Sequence, residues 1–426
     1  MGPYLGPISM LFGLPLLTWC SAFYLQRGYS GWTITPSALP SWADLSGSFS
    51  WRASGVYVAW VAFQAALYRL VPGPKVVGTR LRDGARLTYP ANGWACLVLT
   101  ALAAAAGHAS GAAPLTWAVD HFLELTSASI VFSFALSMYL YAASFWGQRL
   151  LAANSGVAVY DFFLGRELNP RALGVDLKYF FELRPGLFAW LLVAWAALLK
   201  ELGASGAALP SPSMAVAVGL QTLYVCDALW SEASILTTMD IVMDGFGFML
   251  AFGDLAWVPA MYSLQPRFLA AAAAQGAPAA SPAFAALCLG VGAAGFYVFR
   301  AANSQKDTFK TDPAHPSVAQ LPAIKHANGR LLAGGWWGAA RHVNYAGDLL
   351  LALAMSLTTG FVTPITYFYP AYFAVLLWHR EQRDDVRGGA PPHKRAPRRH
   401  LTPSPPTPFP SAAQVRCKVR RGVGGV

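Results

Sequence analysis

Residues Tyr224 to Gln265 read YVCDALWSEASILTTMDIVMDGFGFMLAFGDLAWVPAMYSLQ, a mostly apolar run that carries Asp227, Glu232, Asp240, Asp244 and Asp254. An ionisable group at bilayer depth costs several kcal/mol, so acids persist there mainly where they line a polar cavity or meet a partner. The run points to chemistry or transport inside a membrane.

Outward from it the chain stays apolar. Of 426 residues 55% are hydrophobic and 12% charged, and the mean hydropathy is +0.40. That is too little charge to wet the surface of a soluble domain. The expected fold is all-α, a polytopic membrane protein with about ten transmembrane helices. Spans are expected near 7–26, 54–72, 90–107, 127–146, 186–201, 212–230, 241–263, 282–300, 345–361 and 362–379. Gly, Pro or polar residues interrupt the seventh, ninth and tenth of these. The start, MGPYLGPISMLFGLPLLTWCSAFYL, lacks a basic leader and a small-residue cleavage site, so it reads as the first span and not as a removed signal peptide.

The net charge of +11 does not indicate a nucleic-acid partner. Arg387 to Val426 holds nine Lys or Arg and no acid, which leaves 22 bases against 20 acids in the body. The same tail is rich in proline and almost free of apolar periodicity, and is expected to be disordered. The domain reading is therefore a transmembrane body over 1–386, with its candidate ligand-binding groups mainly in 160–386, and a tail over 387–426. Cys20, Cys96, Cys226, Cys288 and Cys417 are widely spaced without a C-x-x-C pair, which fits free thiols with no disulfide framework and no metal site.

Three constellations carry candidate chemistry. In NSQKDTFK, Lys306 and Lys310 are four apart, share a helix face, and with Arg300 can grip a phosphate; a topology-setting positive flank is the plain alternative. In GGWWGAARHVNYAGD, Gly334 to Asp348, two tryptophans precede Arg341, His342, Asn344, Tyr345 and Asp348. Ring surface beside hydrogen-bonding groups is what a planar heterocycle with attached phosphates requires, and an interfacial aromatic belt explains only the rings. In the acidic run, Asp240 and Asp244 are four apart beside Gly245 and Gly247, where backbone can approach a ligand; they read either as a proton-donating pair or as partners of Lys178, Arg184 or Arg166. The run HREQRDD from His379 is by itself an ordinary charged anchor. No G-x-G-x-x-G follows a strand, and there is no P-loop, H-E-x-x-H or serine elbow, so any nucleotide is bound without a Rossmann domain.

At these residues the chain resembles the sterol reductase family that contains Δ14-sterol reductase, the membrane domain of the lamin B receptor and 7-dehydrocholesterol reductase. The matching blocks are GRELNPRALGVDLKYFFELRPGL from Gly165, DALWSEASILTTMD and DGFGFMLAFGD within the opening run, FRAANSQKDTFK from Phe299, GGWWGAARHVNYAGDLLLALAMSL from Gly334 and HREQRDD from His379. The form LTTMD followed by DGFGFMLAFGD is similar to the Δ14-reductase branch. The resemblance implies NADPH-dependent reduction of the 14,15 double bond of a sterol by protonation and hydride transfer, in the endoplasmic reticulum membrane, with sterol and lipid as partners and no metal. It implies cofactor contacts at Lys306, Lys310, Leu332, Trp337, Asn344, Tyr345, Arg380 and Asp384, and proton delivery by Asp384, Tyr345 or Asp240. A 7-dehydrosterol reductase is the alternative within the same fold. The residues after Asp385 depart from the family ending that completes the cofactor pocket, which makes a sterol-binding protein without turnover the alternative outside it, and suggests a shifted reading frame.

Overall fold

The computed structural model describes residues 4–28, 38–81, 83–146, 150–326 and 329–387. The segment beyond Arg387, with Cys417, lies outside the described residues. Backbone contacts divide the chain into a unit from Met1 to Leu377 and a second from Trp378 to Val426.

The first unit opens with α1 (Leu5–Gln26), the short α2 (Trp42–Gly47) and α3 (Trp51–Leu70). A ladder of β1 (Lys75–Val77) and β2 (Thr88–Pro90) follows, then α4 (Gly93–Ala109), α5 (Trp117–Asp120) and α6 (Phe122–Ala143). Next come α7 (Ala158–Leu164), the two-residue strands β3 (Arg171–Ala172) and β4 (Val175–Asp176), α8 (Leu177–Leu183), α9 (Pro185–Ser205) and α10 (Pro212–Trp230). Both α9 and α10 begin on a proline, which suits a first turn whose N–H has no intrahelical acceptor.

Among the described residues, five stretches are long and apolar enough to cross a membrane: Leu5–Gln26, Phe122–Ala143, Leu177–Ser205, Pro212–Trp230 and Pro282–Thr311. Their outward faces carry Leu5, Phe12, Val131, Met138 and Leu287, all exposed, as a lipid-facing surface requires. Exposed Trp51, Trp146 and Trp230 stand at or just past helix ends, the level at which indoles settle between headgroups and hydrocarbon. The fold is that of a multi-pass helical membrane protein.

The span expected near 241–263, interrupted in the sequence by Gly and polar residues, forms as a broken one. After α10 the chain makes a 3₁₀ turn over Glu232–Thr237 and the single-turn α11 (Met239–Val242), then breaks before α12 (Phe248–Phe252). A π turn over Gly253–Trp257 leads into α13 (Val258–Met261) and α14 (Leu264–Ala274). The break is built from glycine. A Cβ on Gly245 would lie 2.1 Å from the carbonyl oxygen of Gly165, and one on Gly165, itself at φ +84°, would lie 2.4 Å from the N of Gly247. The close backbone approach expected here for a ligand is thus made by the chain's own 164–167 segment, sealed by the Phe246 N–H donating to the Glu167 carbonyl at 3.1 Å. Asp244 consequently stands beyond the end of α11 and does not share a helix face with Asp240. The wide π turn leaves carbonyls that α-helical geometry would have paired, and the Tyr57 hydroxyl donates to the Leu255 carbonyl at 3.0 Å.

The long α15 (Pro282–Thr311) precedes a hairpin of β5 (Ala323–His326) and β6 (Gly329–Leu332). Then come α16 (Trp336–Ala339), α17 (Val343–Leu357) and α18 (Phe368–Arg387), whose last part, from Trp378, belongs to the second unit. Two glycines let α15 and α17 meet backbone to backbone: a Cβ on Gly295 would sit 2.7 Å from the Gly347 oxygen, and one on Gly347 2.5 Å from the Phe299 N. In the interior, polar groups find partners across helices. The Trp190 indole donates to Gln221 Oε1 at 2.9 Å, Gln221 Nε2 to the Tyr262 carbonyl at 2.9 Å, and Gln265 Nε2 to Ser356 Oγ at 3.0 Å. Each such bond removes a desolvation penalty that hydrocarbon would otherwise impose. Of the cysteines, Cys96 and Cys288 are buried and Cys20 and Cys226 half-buried, all as free thiols.

Candidate functional site

The 30 residues of α15 span about 45 Å at 1.5 Å per residue, well beyond the roughly 30 Å hydrocarbon core. Its last turns must leave the apolar layer, and Arg300 marks the level at which they do. The Arg300 Nε lies 3.3 Å from Asp227 Oδ1 and its Nη1 donates to Ser231 Oγ at 3.2 Å, where α10 ends. Arg300 is thus paired with Asp227 and Ser231 of the acidic run.

Beyond that level the side chains converge. The Lys306 ammonium sits 4.5 Å above the centre of the Trp337 ring, and the Trp337 indole donates to the Ala302 carbonyl at 2.9 Å, pinning the ring to α15. Gln305 Oε1 accepts the Trp336 N–H at 2.9 Å. Gly335, at φ +60°, packs against the same amide so closely that a Cβ would lie 2.3 Å from Gln305 Nε2. The Gly-Gly-Trp-Trp turn is therefore shaped by glycine conformation and fastened by one glutamine. Leu332 is half-buried at the end of β6, and the next N–H, from Ala333, returns to the Pro322 carbonyl at 2.8 Å.

From α17, Asn344 Nδ2 donates to Asn303 Oδ1 of α15 at 3.2 Å, while Asn344 Oδ1 is shielded from solvent and accepts no hydrogen bond. His342 and Tyr345 stack with ring centres 4.7 Å apart at the start of α17. Asp348 follows one turn later and is buried. A cation over an indole, an exposed second lysine at Lys310, an amide with an orphaned acceptor and a phenol make a donor set that fits a nicotinamide dinucleotide: ammonium groups for phosphate, ring faces for a heterocycle, the free acceptor for an amide N–H.

Of the residues expected at the site, Lys306, Trp337, Asn344 and Tyr345 come together here, with Lys310 one turn beyond Lys306 on α15 and Leu332 at the end of the β5–β6 hairpin. Arg380 lies in the second unit, and the side chain of Asp384 lies outside the described residues. Asp240 stands apart on α11. Lys178, fully buried, donates to the main-chain carbonyls of Asp240 at 2.7 Å, Ile241 at 2.7 Å and Asp244 at 2.8 Å. The lysine therefore grips the end of α11 through backbone oxygens, the role cations take at helix C-termini. Beside it Asp176 caps α8 by accepting the Tyr179 N–H at 3.1 Å, and burial pushes its carboxyl above the usual range. Burial likewise raises the neighbouring Tyr89 phenol.

Sequence reasoning missed a second buried centre. Glu232 Oε1 accepts from Arg184 Nη2 and from the Tyr179 hydroxyl, each at 2.7 Å, while Oε2 accepts the Gly93 N–H at the start of α4, also at 2.7 Å. Arg184 Nη2 also donates to Asn92 Oδ1 at 2.6 Å, and its guanidinium lies 4.4 Å from the Tyr68 ring centre. Arg184 and Glu232 are among the buried residues of the unit, so this is an anchor joining α4, α8, α9 and the turn after α10. The acid was visible as an ionisable group in an apolar run; its partner, 48 positions earlier, carried no local signal. Among the described residues no group of three His, Cys, Asp or Glu comes together as a metal site would need.

A model of the family described as the ergosterol biosynthesis ERG4/ERG24 family matches residues 39–389. The chain is 46% identical to the mouse (Mus musculus) protein named Delta(14)-sterol reductase TM7SF2, covering 90% of each chain. It is 46% identical to the chicken (Gallus gallus) Delta(14)-sterol reductase LBR over 81% of this chain and 54% of that one. To Delta(14)-sterol reductase erg24 of the yeast Schizosaccharomyces pombe it is 42% identical over 78% of each.

Proposed function

Because this chain belongs to the ergosterol biosynthesis ERG4/ERG24 family, we propose that it is a Δ14-sterol reductase, an oxidoreductase of sterol biosynthesis that saturates the 14,15 double bond of a sterol intermediate at the expense of NADPH in the endoplasmic reticulum membrane. The observation that carries the reading is the convergence of Lys306, Trp337, Asn303 and Asn344 where α15 emerges beside α17. Lys306 and Lys310 would hold phosphate, Leu332 and Trp337 would flank a ring, and the orphaned oxygen of Asn344 would receive an N–H. Bound there, NADPH supplies the hydride. The protein's part is to keep that region dry, to orient the sterol and to deliver a proton to the opposite face of the alkene. Tyr345, one residue from Asn344, puts a hydroxyl donor on the same helix turn as the grip.

The membrane passes of this reading are α1, α3, α4, α6, α9, α10, the broken pass over 248–274, α15, α17 and α18. An even number of passes separates the basic loop before Pro185 from the basic loop after Arg300, so both face one side, the cytoplasm by their charge.

Purified full-length protein in lipid vesicles is expected to consume the absorbance of a conjugated 8,14-diene sterol in the presence of NADPH. Intact, correctly folded protein that leaves the absorbance unchanged would overturn the reading, and consumption of a 5,7-diene in its place would move the activity to the 7-reductase class. Lys306→Ala is expected to raise the KM for NADPH about tenfold, the loss of one charge-assisted contact, with little change for NADH. Equal effects on the two cofactors would remove Lys306 from the phosphate. Asn344→Ala is expected to lower turnover by about tenfold with an unchanged melting temperature, because its amide faces α15 and is not part of the buried network.

A further inference from the structure

Away from α15 and α17, a groove of about 470 Å³ opens between α4 and α9 with α10 as its floor. Its walls are simple. Ala101, Ala104, Ala105 and His108 recur at intervals that put them on one face of α4. Trp195, Leu198 and Leu199 do the same on α9, and Val218 of α10 lies between them. The alanines and the α9 side chains are exposed or half-buried, so the groove faces the lipid. Among the described residues that line it, His108, at the end of the helix, is the ionisable one.

Two further observations fix depth and polarity. Lys200, directly after Leu199, pairs with Asp120 at 2.6 Å, and an exposed ion pair of this kind belongs at the water boundary. His108 therefore stands at headgroup level, and the alanines reach about 10 Å deeper by helix rise. His108 Nδ1 accepts the Leu115 N–H at 3.3 Å. An accepting Nδ1 leaves the ring proton on Nε2, which makes that nitrogen a donor at the top of an apolar slot.

We propose that this groove is a second sterol site, occupied by a membrane sterol whose hydroxyl accepts from His108 Nε2 and whose flat ring face lies on the alanines of α4. The volume is in the range of small-molecule pockets. A row of methyl groups gives a low-relief wall, against which a rigid planar nucleus makes contact along its whole length without losing internal freedom. A flexible acyl chain in the same slot gives up rotamer entropy and brings no hydroxyl to the histidine. The site uses none of the residues assigned to reduction, so it stands whether or not the Δ14 reading does.

The test is photolabelling of the full chain in phospholipid vesicles with a diazirine-bearing sterol that keeps its hydroxyl, followed by peptide mapping. Adducts are expected in 101–108 and 195–199, unaffected by NADPH. Excess unlabelled sterol should displace them, and its deoxy analogue, which lacks the oxygen altogether, should compete about fivefold less well, the effect of one lost hydrogen bond. Ala104→Phe fills the slot from its lipid side and should abolish those adducts with the melting temperature unchanged. His108→Leu should weaken them about fivefold, and His108→Gln, which retains a donor, should restore part. Adducts spread evenly over lipid-facing helices, equal competition by the deoxy analogue, or unchanged labelling of Ala104→Phe would each overturn the proposal. Failure of the diene assay alone would not touch it.

Discussion

Arg184→Met is expected to lower the unfolding free energy by about 3–5 kcal/mol, the cost of leaving a buried charge without its partner. Glu232 would keep the Tyr179 hydroxyl and the Gly93 N–H but lose its cation, and Asn92 Oδ1 would lose its only charged donor. The measurement is unfolding in detergent or vesicles, read as a shift in denaturant midpoint. The double variant Arg184→Met with Glu232→Leu is expected to recover a substantial part of the loss, since an apolar pair of similar volume removes the stranded charge. A single variant with an unchanged midpoint would mean that the anchor contributes little. A double variant worse than the single would mean that capping of α4 by Glu232 outweighs charge pairing.

The second large effect is steric. In Gly186→Ala the new Cβ would stand 1.7 Å from the main-chain oxygen of Asp254, where the start of α9 meets the π turn. No rotamer change relieves a clash between two backbones, so one helix must move, at a cost of about 3 kcal/mol or more. Gly203→Ala, on the same helix with nothing within 4 Å of its added methyl, is the control, expected to be neutral or to gain about 0.5–1 kcal/mol from helix propensity. Equal melting of the two variants would remove the close contact from the account of this fold.

Much of this architecture was legible because hydrophobic length is a strong signal. The expected span at 212–230 coincides with α10, and the one at 186–201 lies inside α9. NSQKDTFK and GGWWGAARHVNYAGD each stood out by their chemistry, but only the family resemblance joined them into one expected site. What sequence could not supply was commitment. Nothing in the sequence tied Arg300 to Asp227, and nothing showed that Lys178, beside the acids, would donate to the main-chain carbonyls of Asp240, Ile241 and Asp244. Which atom satisfies a buried ion is decided by tertiary distance. The broken pass failed for a related reason. Its apolar content met the length rule, while the feature that breaks it, glycine against glycine at positions 165 and 247, lies in a segment eighty residues earlier.

The hydroxyl that Tyr57 lends to Leu255 has a consequence for biosynthesis. The two residues are 198 positions apart, so the donor is made and inserted long before the ribosome reaches the acceptor. A helix with an unsatisfied carbonyl in mid-membrane partitions poorly into lipid by itself. The late pass is thus completed by an early one, and translation order supplies the donor before the acceptor needs it.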